Sequence, residues 1–185
     1  MSSLPIGRAP PYRPIAARLA SPADFERVLP DLVELLHEAV NAGASLGFLA
    51  PLTDDESWDY WLSIRTELRA CTRLLVVARD GERLVGCGQL ALVSWPNSRH
   101  RAEIQKLFVA PSHQGRGVGR SLITLLHDTA RRCGRSLVHL STRRGAASEG
   151  FYRRLGYLQA GVFPGFTLGP SGERGDVVAL YRELG

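Results

Sequence analysis

Apolar residues in the first seventy positions recur at helical spacing. Ser21 followed by Pro22 is a typical helix start, and we expect this helix to run to about Val40, where Asn41 and Gly43 end it. A second helix is predicted for residues 53–68, and a short strand for residues 15–19. The apolar faces consist of Phe25, Val28, Leu32, Leu35 and Leu36 in the first helix and of Trp58, Trp61, Leu62 and Ile64 in the second.

From position 74 onward, short apolar runs bounded by turn residues replace the helical pattern. They predict strands over residues 74–78, 84–93, 102–109, 136–141, 157–166 and 177–183. Steps of three and four residues predict a helix that starts within 115–119 and ends at Cys133, and a short one over 147–155. This order favours an α/β fold: one domain over residues 15–185, with a mixed central sheet flanked by about four helices. Residues 1–14 are rich in proline and are interpreted as an extended arm.

Composition and charge narrow the classes of partner. The chain of 185 residues has a formal net charge of +5, which favours an anionic partner such as a phosphate-bearing cofactor. The basic residues form scattered pairs and no aromatic-interleaved stripe, so we expect no nucleic-acid binding. No apolar run reaches the roughly 18 residues of a membrane span. Cys71, Cys87 and Cys133 lack metal-ligand spacing, so we expect no metal site and a cytoplasmic protein with reduced thiols.

The junction between the predicted strand 102–109 and the helix after it carries three alternating glycines, Gly115, Gly117 and Gly119. Backbone N–H groups at a helix start favour a bound phosphate, and Arg116 and Arg120 add positive charge. The stretch has no Walker A lysine, and Arg120 stands where a dinucleotide fingerprint needs its third glycine. A tight strand-to-helix turn that binds no ligand is the alternative interpretation.

Two motifs together carry a resemblance to a known family. Gln114-Gly-Arg-Gly-Val-Gly119, after Leu107-Phe-Val-Ala-Pro111, resembles the Gln/Arg-x-x-Gly-x-Gly/Ala loop of GNAT acetyltransferases. Phe151-Tyr-Arg-Arg-Leu-Gly-Tyr157 resembles the family's Phe-Tyr-x-x-x-Gly-Phe/Tyr motif. The resemblance implies an N-acetyltransferase of GNAT fold with acetyl-CoA as co-substrate. The cofactor-binding residues that it implies are Leu107, Phe108, Val109, Gln114, Gly115, Arg116, Gly117, Val118, Gly119 and Arg120.

The same resemblance implies two catalytic residues. Glu103, in the strand before the loop, would be the general base, and Tyr152 the general acid that protonates the departing thiolate. The alternatives are a Glu103 paired with Arg101 or Arg143, and a Tyr152 that only packs in the core. His139 is a weaker candidate base. We expect His113 and His127 to be solvated rather than ligands.

The segments Arg101-Ala-Glu-Ile-Gln-Lys-Leu107 and Val138-His-Leu-Ser-Thr142 look closest to the tabtoxin-resistance acetyltransferases. This implies a small-molecule amine as acceptor. That group has an Asp where this chain has Ser141, which could still bind the acceptor but cannot hold an ammonium by charge. Acetylation of a protein N-terminus or lysine, and a non-catalytic acyl-CoA sensor, are the alternative functions. The sequence leaves a homodimer open.

Overall fold

A mixed sheet of seven strands forms the centre of the computed structural model, which describes residues 15–18, 22–169 and 172–185. The strands are β1 (Ile15–Arg18), β2 (Arg73–Asp80), β3 (Arg83–Leu92), β4 (Arg101–Val109), β5 (Leu137–Arg143), β6 (Leu158–Leu168) and β7 (Arg174–Glu183). The helices are α1 (Pro22–Asn41), α2 (Asp54–Ser63), α3 (Arg65–Arg69), α4 (Val118–Arg132) and α5 (Ala147–Arg154). The predicted α/β fold with a mixed sheet is confirmed. The predicted arm, residues 1–14, lies outside the described residues.

The strand order across the sheet is β1-β2-β3-β4-β5-β7-β6. Every neighbouring pair is antiparallel except β4 and β5, which run parallel. Helix α4 connects these two strands and packs on the sheet, as a parallel crossover requires. The parallel pair therefore lies in the middle of the sheet, where both of its faces are covered.

Each face of the sheet has its own hydrophobic core. Helix α4 packs on one face, and its Leu122, Ile123 and Leu126 are buried together with alternate residues of the central strands. Helices α1 and α2 cover the other face, and Leu32, Leu36 and Trp61 are fully buried there. The apolar face predicted for the first helix is confirmed, since all five of its predicted residues are buried. The alternation of β2 side chains between the two cores explains its continuous apolar sequence.

The second predicted helix, residues 53–68, differs from the structure because it is broken at Ile64. A capping box fixes its start: Thr53 accepts from the Glu56 backbone, and the Glu56 side chain reaches back to Thr53. The break follows Ser63, whose hydroxyl donates to the carbonyl of Tyr60 at 2.7 Å and competes there with helical hydrogen bonding. Ile64 itself is buried, so packing redirects the chain before α3 begins.

The last hairpin is longer than predicted. We expected strands over 157–166 and 177–183, but pairing continues outward to Thr167 opposite Gly175 and Leu168 opposite Arg174. The Thr167 hydroxyl also donates to the Gly175 carbonyl at 3.2 Å, which holds the two strands together in a glycine-rich stretch. Among the described residues, no helix is long and apolar enough to span a bilayer.

Candidate active site

The parallel strands β4 and β5 pair over only three residues and then separate. Their register runs from Arg101 opposite Leu137 to Glu103 opposite His139 and stops there. Strand β5 continues beside β7 as far as Arg143, whereas β4 continues beside β3. The separation opens a cleft of about 1210 Å³. Residues 103–109 line one side of it and residues 140–148 line the other.

A bulge in β4 shapes the same stretch. The register with β3 shifts between Cys87 and Gln89, and Lys106 adopts a left-handed φ of 46°. A non-glycine residue at positive φ is unusual and is held there by its surroundings. Ladder hydrogen bonding to β5 has ended at Glu103, so the β4 edge beyond it faces the cleft. Leu107, Phe108 and Val109, for which the resemblance implies cofactor binding, all line the cleft.

The glycine loop lies at the end of β4 and opens α4. Gly115 and Gly117 have φ of 73° and 87°, and no atom lies within 4 Å of a Cβ added at either position. Gly117 is the N-cap and gives α4 no side-chain cap. The first helical hydrogen bond is that of the Ser121 N–H to Gly117, so the N–H groups of residues 118–120 have no acceptor inside the helix. The loop can hold an anion with backbone groups.

Eight of the ten predicted cofactor-binding residues line the cleft. The exceptions are Val118, whose side chain is buried under the sheet, and the exposed Arg116. Those that line it are Leu107, Phe108, Val109, Gln114, Gly115, Gly117, Gly119 and Arg120. Gln114 reaches back so that its Nε2 donates to the carbonyl of Val109 at 3.3 Å. The loop and the strand end thus form one continuous wall.

Tyr152 lies on α5 and lines the cleft on the β5 side. Its ring meets those of Phe151 and Tyr157 edge to face, with centroids 5.2 and 5.4 Å away. Only 7% of the residue is exposed. Burial raises the pKa of Tyr152 above its ordinary value, so its phenol stays protonated at neutral pH. Packing and cleft access therefore coexist at this residue.

Glu103 lies where β4 and β5 part, and it lines the cleft. Its Oε2 accepts a hydrogen bond of 2.8 Å from Gln105 Nε2. Across the described ranges, neither Arg101 nor Arg143 forms an ion pair with it, so the alternative of a salt-bridged Glu103 is wrong for this structure. A half-buried carboxylate that is held by one amide keeps acceptor capacity for a ligand.

His139 lies opposite Glu103 on β5. Arg101 Nη1 donates to its Nε2 at 3.1 Å; because a guanidinium can only donate, that nitrogen is an acceptor and its lone pair is used. Burial, aided by the charge of Arg101, lowers the pKa of His139. His139 is also absent from the residues that line the cleft, which makes it a poor general base.

A chain of polar side chains continues from Glu103 across the buried face of the sheet, and the sequence did not predict it. Arg73 Nη1 donates both to Gln105 Oε1 and to Gln89 Oε1, the second at 2.8 Å. Tyr60 donates to the same Gln89 oxygen at 3.0 Å. Gln89, Gln105 and Glu103 lie on the face that α1 and α2 cover, since Gln89 pairs with Gln105 across β3 and β4. Polar residues alternate along β4, at Glu103 and again at Gln105. This pattern is the sequence signal that could have predicted a polar chain on this face of the sheet.

Lys106 is the second feature that the sequence analysis missed. Its ammonium donates to the carbonyl of Leu46 and lies 4.8 and 5.1 Å from the ring centroids of Phe48 and Tyr60. These contacts fasten the connection between α1 and α2, whose residues 42–47 line the cleft. Burial, together with the charge of Arg73, lowers the pKa of Lys106.

Three further predicted residues can be placed. Ser141 is exposed at the cleft wall formed by β5. The expectation that His113 and His127 are solvated is wrong, since both are buried. His113 Nε2 lies 3.3 Å from Asp80, and His127 Nε2 lies 2.7 Å from the Tyr157 hydroxyl. Burial lowers the pKa of His127 to about 4. Within the described ranges, no group of His, Cys, Asp and Glu has the arrangement of a metal site.

Comparison with known proteins identifies the family. The model of the acetyltransferase (GNAT) family matches residues 33–157, more than half of the chain, and spans both the glycine loop and the α5 motif. This chain belongs to the GNAT acetyltransferase family. It is therefore an acetyl-CoA-dependent N-acetyltransferase.

Named relatives agree with this assignment. An IAA acetyltransferase from Azospirillum brasilense is 31% identical over 137 residues, covering 74% of this chain and 82% of that protein. An L-methionine sulfoximine/L-methionine sulfone acetyltransferase from Salmonella typhimurium is 35% identical over 72 residues, 38% of this chain and 42% of that one.

A solved structure shows the same fold. It is a putative acetyltransferase, yncA from Salmonella typhimurium, determined with its cofactor acetyl-CoA. It superimposes with a TM-score of 0.71 at 20% identity and covers 93% of this chain and 94% of that one. At this identity the likeness concerns the fold alone.

Proposed function

We propose that this GNAT enzyme transfers an acetyl group directly from acetyl-CoA to the primary amine of a small molecule. Glu103 is the general base and Tyr152 the general acid. The observation that carries the proposal is that both residues line the single opening between β4 and β5, on its two sides, beside the glycine loop. Each reacting group would then have its proton donor or acceptor in the same cleft.

The amine must lose a proton before it can attack a thioester, because an ammonium with a pKa of about 10.4 has no lone pair. Glu103 can accept this proton directly or through one water molecule, since it keeps free acceptor capacity at the cleft. The neighbouring His139 is disfavoured because Arg101 occupies its accepting nitrogen. Gln105 holds the carboxylate in place and is a positioning residue in this scheme.

The thiolate that leaves needs a proton, and Tyr152 can supply one. Its raised pKa, a result of burial, keeps the phenol protonated until a strong base forms beside it. A backbone N–H at the β4 end, that of Phe108 or Val109, would stabilise the oxygen that becomes negative during transfer. The strand end can offer such a group because its ladder to β5 has stopped.

Acetyl-CoA supplies the activated acetyl group, and the protein would hold its two ends differently. The open N-terminus of α4, with glycines that leave space for close approach, suits the pyrophosphate, and Arg120 adds charge at the cleft wall. The exposed edge of β4 suits the amide-containing arm, which could hydrogen-bond to it as a further strand would. No other stretch of the described chain combines these two features.

For the acceptor, we favour a small molecule over a protein. Residues 42–47 line the same cleft as Glu103, where we place the acceptor. The relatives named for methionine sulfoximine or IAA also point to small acceptors. Membership of the tabtoxin-resistance group stays a prediction, and Ser141 in place of an Asp argues for a different acceptor from that group's. A cytoplasmic location also stays a prediction.

The test is release of free CoA thiol from acetyl-CoA in the presence of a panel of small amines. We expect turnover with at least one amine, and a fall in kcat of about 10²–10⁴-fold in Glu103→Gln. Glu34→Gln, an exposed change on α1, is the matched control and should keep the wild-type rate. Turnover of small amines that is unaffected by Glu103→Gln would remove the assigned base. Acetylation confined to protein substrates would favour the alternative acceptor.

A further inference from the structure

Lys106 is the one lysine of this chain. The sequence has 23 lysines and arginines, and every one except Lys106 is an arginine. An ammonium therefore occurs only at this position among the side chains. The position is also exceptional in structure, since it is the bulged residue of β4 with a left-handed φ of 46°.

The Lys106 ammonium contacts the α1–α2 connection where that connection borders the cleft. The residue lines the cleft together with Leu46 and Gly47 of the α1–α2 connection. The ring of Phe48 and the ring of Tyr60, which themselves meet edge to face at 5.3 Å, lie behind the ammonium. A Cβ added to Gly47 would approach Nζ to 3.1 Å, so the loop is fitted closely around it.

The Lys106 ammonium has fewer hydrogen-bond acceptors and opposite charges around it than a partly buried cation normally has. An ammonium has three N–H donors. Within the described ranges, Leu46 supplies its one hydrogen-bond acceptor and no carboxylate lies within ion-pair distance. The nearest charge that acts on it is that of Arg73, which is also positive. A partly buried charge is normally paired, because desolvation is costly.

We propose that Lys106 binds an anionic group of the acceptor, a carboxylate, while Glu103 receives the proton of its amine. The acceptor is then an amino acid rather than a simple amine. This inference rests on the proposed acetyl transfer and names its substrate class. Glu103 and Lys106 lie three residues apart on β4 and line the same cleft, so one small zwitterion meets both charges in the orientation that opposite charges favour.

A purely structural Lys106, one that only fastens the α1–α2 connection, makes a different prediction. Loss of that contact would impair every acceptor to the same extent. A lysine that binds a carboxylate acts only on acceptors that have one. The ratio of kcat/KM for an amino acid to kcat/KM for its carboxamide separates these roles, since the two compounds share the amine and the side chain.

The experiment measures that ratio in wild type, Lys106→Met and Lys106→Arg, with L-methionine and L-methioninamide as the matched pair. We expect the ratio to fall at least tenfold in Lys106→Met and to recover in part in Lys106→Arg, which restores the charge. Arg120→Met is the control, because it removes a positive charge at the phosphate end of the cleft and should change the ratio less than twofold. A ratio that is equal in wild type and Lys106→Met overturns the proposal.

A second measurement does not need turnover. Reductive methylation with ¹³C-formaldehyde labels Lys106 as the one lysine side chain, beside the α-amino group, and its methyl signal can be followed by NMR. Acetate should shift this signal saturably, whereas acetamide should not. If neither probe shifts it in folded protein, the Lys106 site is excluded. A saturable acetate shift in an enzyme that acetylates neither compound would instead keep the anion site and count against the proposed acetyl transfer.

Discussion

The two halves of the cleft are built in different ways. The proposed cofactor half comes from one continuous stretch, residues 107–120, and offers mainly backbone groups: a strand edge and the open start of a helix. The proposed acceptor half, where Leu46 and Glu103 line the cleft, depends on contacts between residues far apart in sequence, which include Tyr60 and Arg73 next to the lining residues. The first half is defined by local conformation and the second by tertiary packing.

This difference indicates which part of the cleft determines specificity for the acceptor. In the proposed binding mode, backbone groups recognise the phosphates and amides of acetyl-CoA, and they need only glycines at the right φ. Side chains held by a tertiary network can change one at a time without disturbing that conserved chemistry. The acceptor half is therefore the part in which relatives of the same fold can differ.

Among the variants that compare the two halves, the largest effect should come from Tyr152, which lines the cleft on α5. Tyr152→Phe keeps the ring and its edge-to-face contacts but removes the acid, so we expect kcat to fall about 100-fold or more with the KM for acetyl-CoA unchanged. Steady-state kinetics measure it. Tyr157→Phe, which loses a hydrogen bond to His127 in the same aromatic group, is the control and should lower stability rather than kcat. A wild-type kcat in Tyr152→Phe would show that this tyrosine only packs.

A substitution at one glycine tests whether backbone groups at the start of α4 bind CoA. Alanine disfavours the left-handed conformation of Gly117 by about 1–2 kcal/mol, so the free loop should leave this conformation and must regain it to bind CoA, which should bind about tenfold more weakly by calorimetry. Gly134, at the other end of α4, has a φ of 69° and equally open surroundings. Gly134→Ala should therefore lose similar stability without loss of CoA affinity. Equal affinity losses in both variants would mean that the helix start does not hold the phosphates.

The side-chain network of the acceptor half is tested by Gln105→Met. This change removes the donor to Glu103 and the acceptor for Arg73, so the carboxylate loses its fixed orientation. We expect kcat to fall about fivefold to tenfold while the KM for acetyl-CoA stays within twofold. Gln159→Met, on the edge strand β6, should leave both constants unchanged. A rise in the KM for acetyl-CoA in Gln105→Met would indicate that the two halves are coupled.

The smallest effect on catalysis is expected at His127, which lies outside both halves and contributes to stability. Its pKa is about 4 in the folded protein and near 6.5 when unfolded. The unfolded chain binds the proton more readily, so this contribution is complete above pH 6.5 and is lost as the pH falls toward 4. The loss should amount to about 1–3 kcal/mol. Urea unfolding at pH 7.5 and 4.5 measures it, and His127→Gln should show a smaller difference between the two pH values.

The sequence indicated which residues line the proposed cofactor half far better than those of the proposed acceptor half, for a physical reason. Gly115, Gly117 and the strand end Leu107–Val109 are adjacent in sequence, and their residue types restrict the backbone locally. The contact of Lys106 with Leu46 spans 60 residues, and that of Arg73 with Gln105 spans 32, so no local pattern specifies either. The same limit explains His113 and His127, whose burial depends on elements elsewhere in the fold.

Predictions from local sequence preference were also wrong where tertiary contacts or strand pairing compete with that preference. Ile64 interrupts a segment with good helical periodicity because its burial and the Ser63 hydroxyl redirect the backbone. The β6–β7 hairpin extends into residues whose glycine content favours a loop, because pairing across the two strands outweighs local preference. In both cases the competing interaction is visible only once the chain is folded.

The parting of β4 from β5 has a consequence for inhibitors. Residues 42–47 lie on the α1 face of the sheet and the start of α4 lies on the opposite face, yet both border the same opening. Donor and acceptor can thus arrive from opposite faces and meet in the plane of the strands, without one having to leave first. A compound that joins the two would therefore have to pass between β4 and β5, and its linker would lie where the two strands separate.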